Sequence, residues 1–236
     1  KVLRQRAGAG MLQDPNNILA CVRMMLDAAG ERHVGCKLRL GLDRDHEESD
    51  LPFALADAGV GWITLHPRFA NEHFQGTADW TKLTSLAASL PVPLVASGDL
   101  FTARDGIRCL RETGAATLMY ARGAIRNPAI FHDHIRLLQN LPPLSSDGSH
   151  LRTLLKTYLK LVREHDNGRD QTKRMRGILA SHVRGHPQAR DIRIRFCRAE
   201  TWDELHEILD RWLPENGLCK TPEPVPEENL SREKSL

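Results

Sequence analysis

Little in this sequence is long, apolar or paired. No hydrophobic run approaches the roughly 18 residues that a membrane span needs, and no signal peptide is visible. No membrane role is therefore expected. The five cysteines, Cys21, Cys36, Cys109, Cys197 and Cys219, are odd in number, scattered, and never in a C-x-x-C pair. A disulfide framework or a zinc site is not expected from them, and a reducing cytoplasm fits. Neither a Walker loop nor a G-x-G-x-x-G turn is present. The first residue is Lys1 rather than methionine, so the natural start is expected upstream.

What is there suits a folded protein. Hydrophobic residues make up 41% of the 236 and charged residues 27%. That is enough to bury a core in one large or two small domains. The net charge of +3 conceals an asymmetry: His150 to Glu200 holds 13 Lys/Arg against 5 Asp/Glu, a local +8, which leaves −5 for the rest. A basic half on a near-neutral protein points to a polyanionic partner, or else to a solvated arginine-rich helical surface.

The first part alternates strand and helix. Strands are expected at Val34–Leu40, Trp62–Leu65, Val92–Ala96 and Ala116–Tyr120. Helices are expected at Leu51–Ala58, Trp80–Leu90, Thr102–Glu112 and from Asn127-Pro128 to Leu138. Apolar strands alternating with helices imply a parallel sheet covered on both faces. The repeat is the βα unit of a barrel or of an open sheet. Four units cannot close an eight-stranded barrel, so either the sheet is open or further strands lie upstream. The expected divisions are 1–140 for these units, 141–149 as a linker, 150–213 as a basic helical domain and 214–236 as a disordered tail. Helices of the second domain are expected along the Leu151–Val162 stripe, at Gln171–Val183, at Ala189–Cys197 and at Thr201–Trp212. Thr201 and Glu204 should form a capping box on the last.

Parallel α/β folds gather functional groups at the C-terminal ends of their strands. The first strand carries Lys37 and Arg39, which alternation points to one face. The second ends in His66-Pro67-Arg68, the third in Ser97-Gly98-Asp99, the fourth in Ala121-Arg122-Gly123-Ala124. Clustered cations are costly unless an anion neutralises them, and a phosphate-bearing cofactor would do so. His182 and His186 are four apart, but no cysteine or carboxylate accompanies them at ligand spacing, so no metal is expected.

Taken together, these segments resemble the tRNA-dihydrouridine synthase family. The resemblance rests on Ala7-Gly8-Ala9-Gly10-Met11-Leu12, Cys36-Lys37-Leu38-Arg39-Leu40-Gly41, Leu65-His66-Pro67-Arg68, Gln75-Gly76-Thr77-Ala78-Asp79-Trp80, Ser97-Gly98-Asp99 and Ala121 to Pro128, in that order. It runs from Lys1 to about Trp212 and implies the C-terminal half of a (βα)8 TIM barrel followed by a small all-α helical bundle. It implies FMN as cofactor, NADPH as electron donor, tRNA as partner, and a monomer. By matching position, Lys37, His66, Ser97, Gly98, Asp99, Ala121, Arg122 and Gly123 would bind the flavin. Arg39, Arg68, Arg174 and Arg176 would contact RNA.

Pro67, Ser97 and Ala121 depart from the family's usual residues, and Gly177-Ile178 replaces a lysine and a histidine after Met175-Arg176. The family's general acid, a cysteine in an N-x-G-C-P turn, would lie upstream of Lys1. The implied reaction reduces uridine in tRNA to 5,6-dihydrouridine, and this chain alone is expected to be inactive. The rivals are another FMN barrel oxidoreductase acting on a small substrate, and a non-catalytic RNA-binding remnant.

Overall fold

The computed structural model describes residues 7–143, 148–166, 170–183 and 188–213. The chain divides into two compact units, with the division between Pro143 and Leu144. The 214–236 tail and the second histidine of the His182/His186 pair lie outside the described residues.

In the first unit a 3-10 turn at Gly8–Gln13 leads into helix α1, Pro15–Ala29. The order is then β1 (Gly35–Arg39), α2 (Leu51–Asp57), β2 (Trp62–His66), α3 (Thr81–Ser89), β3 (Leu94–Ser97), α4 (Ala103–Thr113), β4 (Thr117–Met119), α5 (Arg122–Arg126) and α6 (Ile130–Leu138). The strands form a parallel sheet in the order β1-β2-β3-β4. The order never reverses, unlike that of a doubly wound sheet.

Pairing register sorts the side chains. Directly paired residues of a parallel sheet share a face, and the faces alternate along each strand. Cys36, Leu38, Ile63, Leu65, Leu94 and Ala96 fall on one face and share a core with Val22, Leu55, Leu83 and Cys109 of the helices. Lys37, Arg39, Thr64, His66 and Ser97 fall on the other. Lys37 and Arg39 share one face, as alternation implies, and the apolar core lies on the other.

Helix ends follow local chemistry. Thr102 and Asp105 make a capping box at the start of α4, and Gly114 ends it in the left-handed region. Asp14 caps α1, with Pro15 in its first turn. That helix was not anticipated: its buried stripe amounts to Ile18 and Val22, too thin a pattern to stand out.

The second unit holds α7 (Gly148–His165), α8 (Thr172–His182), α9 (Ala189–Arg198) and α10 (Trp202–Trp212). They close around Leu155, Leu159, Met175, Leu179, Ile192, Phe196, Leu205 and Leu209. The Thr201 hydroxyl accepts from the Glu204 N–H at 3.2 Å, as expected. The Glu204 carboxylate, however, accepts from the Glu200 N–H at 2.7 Å, one residue before the reciprocal partner of a capping box. Among the described residues no helix is long and apolar enough to cross a membrane, and no group of histidine, cysteine or carboxylate side chains could hold a metal ion.

Candidate functional site

The sheet register builds the site. Arg39 pairs with His66, and Ser97 with Met119 one step along, so the last residues of β1, β2 and β3 form a row at the C-terminal edge. Beyond that row the β3–α4 and β4–α5 turns lie against each other. Gly98 has φ +105, a conformation that L side chains rarely adopt, and a Cβ there would meet the His66 ring at 2.8 Å. Gly123 admits the other turn: a Cβ would stand 2.2 Å from the Leu100 carbonyl oxygen.

Arg68 is the centre of the arrangement. It is 1% exposed. Its two terminal nitrogens donate to the two oxygens of Asp99 at 2.9 and 2.6 Å. Nε donates to the Gln75 carbonyl at 3.2 Å, Nη2 to that of Gly76 at 2.6 Å, and Nη1 lies 3.3 Å from His66 Nε2. A guanidinium has five N–H donors, and here all five are occupied. The expectation that Arg68 faces RNA is therefore corrected: the side chain points inward and has no donor left to offer.

Asp99 gathers further partners. Its carboxylate accepts from the Ala78 N–H at 2.8 Å and from Arg122 Nη2 at 3.1 Å. One carboxylate thus ties together the segment after β2, the turn after β3 and the start of α5. It is occupied by protein donors. The backbone N–H groups of Gly98, Asp99 and Leu100 have no intramolecular acceptor among the described residues, and Arg122 and Gly123 open α5, where the first N–H groups have no intrahelical partner.

The remaining cations are freer. Lys37 is exposed, and its ammonium makes no hydrogen bond or ion pair among the described residues. Partial burial and then Arg39 lower its pKa. Arg39 is half-buried and donates through Nη1 to the Phe69 and His73 carbonyls at 3.1 and 2.9 Å. Burial and the positive Arg68 and Arg122 lower its pKa. His66 is pushed down to about 4 by burial and then by Arg39, Lys37 and Arg68, with Asp99 opposing. It is therefore a neutral imidazole at neutral pH.

Phe74 was not anticipated from the sequence. It is 57% exposed and meets two guanidinium groups, at 5.2 Å from that of Arg39 and 4.6 Å from that of Arg122, with the His66 ring 6.2 Å away. Arg39 holds the carbonyls of residues 69 and 73, and Arg68 those of residues 75 and 76. Two buried or half-buried arginines thus staple this segment over the strand ends. An exposed Phe in a polar loop has no period to reveal it.

In the second unit Arg174 is exposed, while Arg176 is half-buried with its Nε shielded and unpartnered. No cysteine of the first unit belongs to the row. Cys36 packs toward the apolar core, Cys109 is buried with its thiol pushed up to about 11 by burial, Cys21 is on α1 and Cys197 on α9. Cys219 lies outside the described residues.

These features define an α/β protein of successive βα units, with a cationic, donor-rich rim at the C-terminal strand ends. The sequence model of the family described as "Dihydrouridine synthase (Dus)" matches residues 1–215. The chain belongs to the dihydrouridine synthase family. It is 30% identical over 227 residues to a tRNA-dihydrouridine(16) synthase of Cupriavidus necator, covering 94% of this chain and 68% of that protein. It is 29% identical over 207 residues to a tRNA-dihydrouridine synthase B of Xanthomonas axonopodis pv. citri, covering 86% of this chain and 61% of that one. A probable tRNA-dihydrouridine synthase of Aquifex aeolicus is 27% identical over 212 residues, at 89% and 66%. The chain thus spans 61% to 68% of the length of these relatives.

Proposed function

We propose that this chain is part of a flavin-dependent tRNA-dihydrouridine synthase that reduces uridine in tRNA with FMN and NADPH. The observation that carries the reading is the convergence of Lys37, His66, Ser97-Gly98-Asp99 and Arg122-Gly123 on one rim of a parallel sheet, in a chain of this family. The rim fits such a cofactor: backbone donors without an intramolecular acceptor in two adjoining turns suit a phosphate, and an unpaired ammonium suits a ring that becomes anionic on reduction. The bound flavin would supply hydride transfer, which no side chain here can.

In this reading Lys37 holds the ring by charge, and Gly98 and Gly123 let the phosphate approach the backbone. Ser97 and Ala121 line the same turns. Asp99 acts by holding Arg68 and Arg122 in place. Arg39, Arg174 and Arg176 contribute phosphate contacts to tRNA, which supply affinity and register more than sequence choice. The target base leaves its stack to reach the rim. Cys36 and Cys109 sit on the apolar side of the sheet, and in this reading the proton for the base comes from a cysteine outside this chain.

The finer architecture belongs to the same proposal. The unreversed order β1-β2-β3-β4 suits four consecutive units of a (βα)8 barrel, the C-terminal half, with 1–140 as that half, 141–149 as a linker, 150–213 as a tRNA-binding helical bundle and 214–236 as a tail. A cytoplasmic monomer goes with it. The chain alone then makes no dihydrouridine, because a positioned general acid contributes about 10²–10⁴-fold and placement against the opposite wall several kcal/mol. The test incubates this chain, and a protein extended upstream through the expected N-x-G-C-P turn, with FMN, NADPH and unmodified tRNA. Dihydrouridine is measured by mass spectrometry. Product from the extended protein alone is expected; equal product from both overturns the proposal.

A further inference from the structure

The two ring nitrogens of His66 stand in different situations. Nε2 faces Nη1 of Arg68 at 3.3 Å, and a guanidinium can donate but never accept. Nε2 must therefore be the acceptor, which in a neutral imidazole leaves the proton on Nδ1. Arg68 cannot turn away, because its other four N–H groups are held by Asp99, Gln75 and Gly76. The ring lies close over Gly98, where a Cβ would stand 2.8 Å from its Cδ2 and 3.2 Å from Nε2. Nδ1 has no hydrogen-bond partner among the described residues, yet it is not one of the sealed, unsatisfied atoms. It is an available donor.

The charged groups that face the ring are Lys37 and Arg39 from β1, Arg68 from the segment after β2, and Asp99 from the turn after β3. Three cations against one anion, together with burial, oppose the imidazolium. A second proton would have to enter at Nε2, where Arg68 stands.

We infer that His66 meets its ligand as a neutral Nδ1–H donor, and that Arg68 is the positioning residue that fixes this tautomer. The group it recognises is a hydrogen-bond acceptor, such as a ring carbonyl oxygen or an unprotonated ring nitrogen, and His66 delivers no proton to it. Only the identity of that acceptor rests on the flavin reading; the tautomer does not.

The test uses the full chain labelled with ¹⁵N at histidine, with no flavin added. Long-range proton–nitrogen correlation spectra distinguish the tautomers, and His66 is assigned by the signals that disappear in His66→Gln. Expected is a single tautomer, Nδ1 protonated and Nε2 not, unchanged from about pH 8 to about pH 5, the range above its folded pKa of about 4. Arg68→Met, which keeps an apolar stem but no donor, should give a mixture of tautomers and raise the titration midpoint toward the ordinary 6.5. A protonated ring at pH 7, or the Nε2–H tautomer in the unsubstituted chain, overturns the inference, and those two outcomes can be read even where Arg68→Met does not fold. If this chain shows the tautomer but the protein extended upstream binds no FMN, the flavin reading falls and this one stands.

Discussion

At the scale of single residues the rim is held by exclusions as much as by contacts. Gly98 shows both. Its φ of +105 strains any other residue, and a Cβ would collide with His66 and with Ala78 at 2.8 and 2.9 Å. Gly98→Ala is expected to cost about 1–3 kcal/mol, from backbone strain and a displaced ring, read as a lower denaturant midpoint at unchanged slope. His66 adds a dependence on pH. Its folded pKa of about 4 lies below the ordinary 6.5, so between those values the unfolded chain binds more protons. Stability therefore falls as pH drops from about 6.5 to about 4 and does not change on this account above 6.5. Urea titrations across that range should show the decline in the unsubstituted chain and a smaller one in His66→Gln. Strand-end Lys37, His66, Ser97-Gly98-Asp99 and Arg122 were all legible from alternation and from the rule that such folds act at the C-terminal strand ends. The inward turn of Arg68 was not, because its partners at Asp99, Gln75 and Gly76 are set by loop geometry.

At the scale of elements, α4 illustrates how much a few local residues decide. Thr102 accepts from the Asp105 N–H at 3.1 Å and Asp105 returns the bond to the Thr102 N–H at 2.8 Å. Asp105 also accepts from the Phe101 N–H at 3.2 Å, so the cap stiffens the turn that ends beside Asp99. Thr102→Ala should cost about 0.5–2 kcal/mol, measured by thermal or chemical unfolding, and Thr102→Ser should restore most of it. Each expected strand and helix lies within a few residues of the observed one, because apolar runs and Pro or Gly punctuation are local signals. Short α5 was not anticipated: five residues, Arg122–Arg126, carry no readable period. The capping box expected at Thr201 shows the opposite limit. Its hydroxyl half is local and present, whereas the carboxylate half settles on Glu200.

At the scale of the molecule, each unit carries its own apolar core. Phe196 is fully buried in the second, and Phe196→Ala is expected to destabilise that unit by about 3–5 kcal/mol, seen as a melting of its helical signal at lower denaturant. The basic balance of the second half has a testable consequence under the proposed function. Arg174→Ala should weaken tRNA binding and reduce the slope of log affinity against log salt by about 0.7–0.9 for each phosphate that the arginine neutralises. An unchanged slope would assign that charge to solvated surface instead.

The sequence alone determined the succession of βα units, the basic helical second half and the ladder of strand-end groups from Lys37 to Gly123. Each of these is written in periods of two or 3.6 and in residue chemistry at fixed offsets. Tertiary structure alone decided how those groups divide the work. It turned Arg68 inward onto Asp99, placed exposed Phe74 against Arg39 and Arg122, and committed one nitrogen of His66 while leaving the other available. Those outcomes depend on contacts between segments that lie up to 48 residues apart in the chain, as 74 and 122 do. Such contacts form through the sheet register, and no local pattern records them.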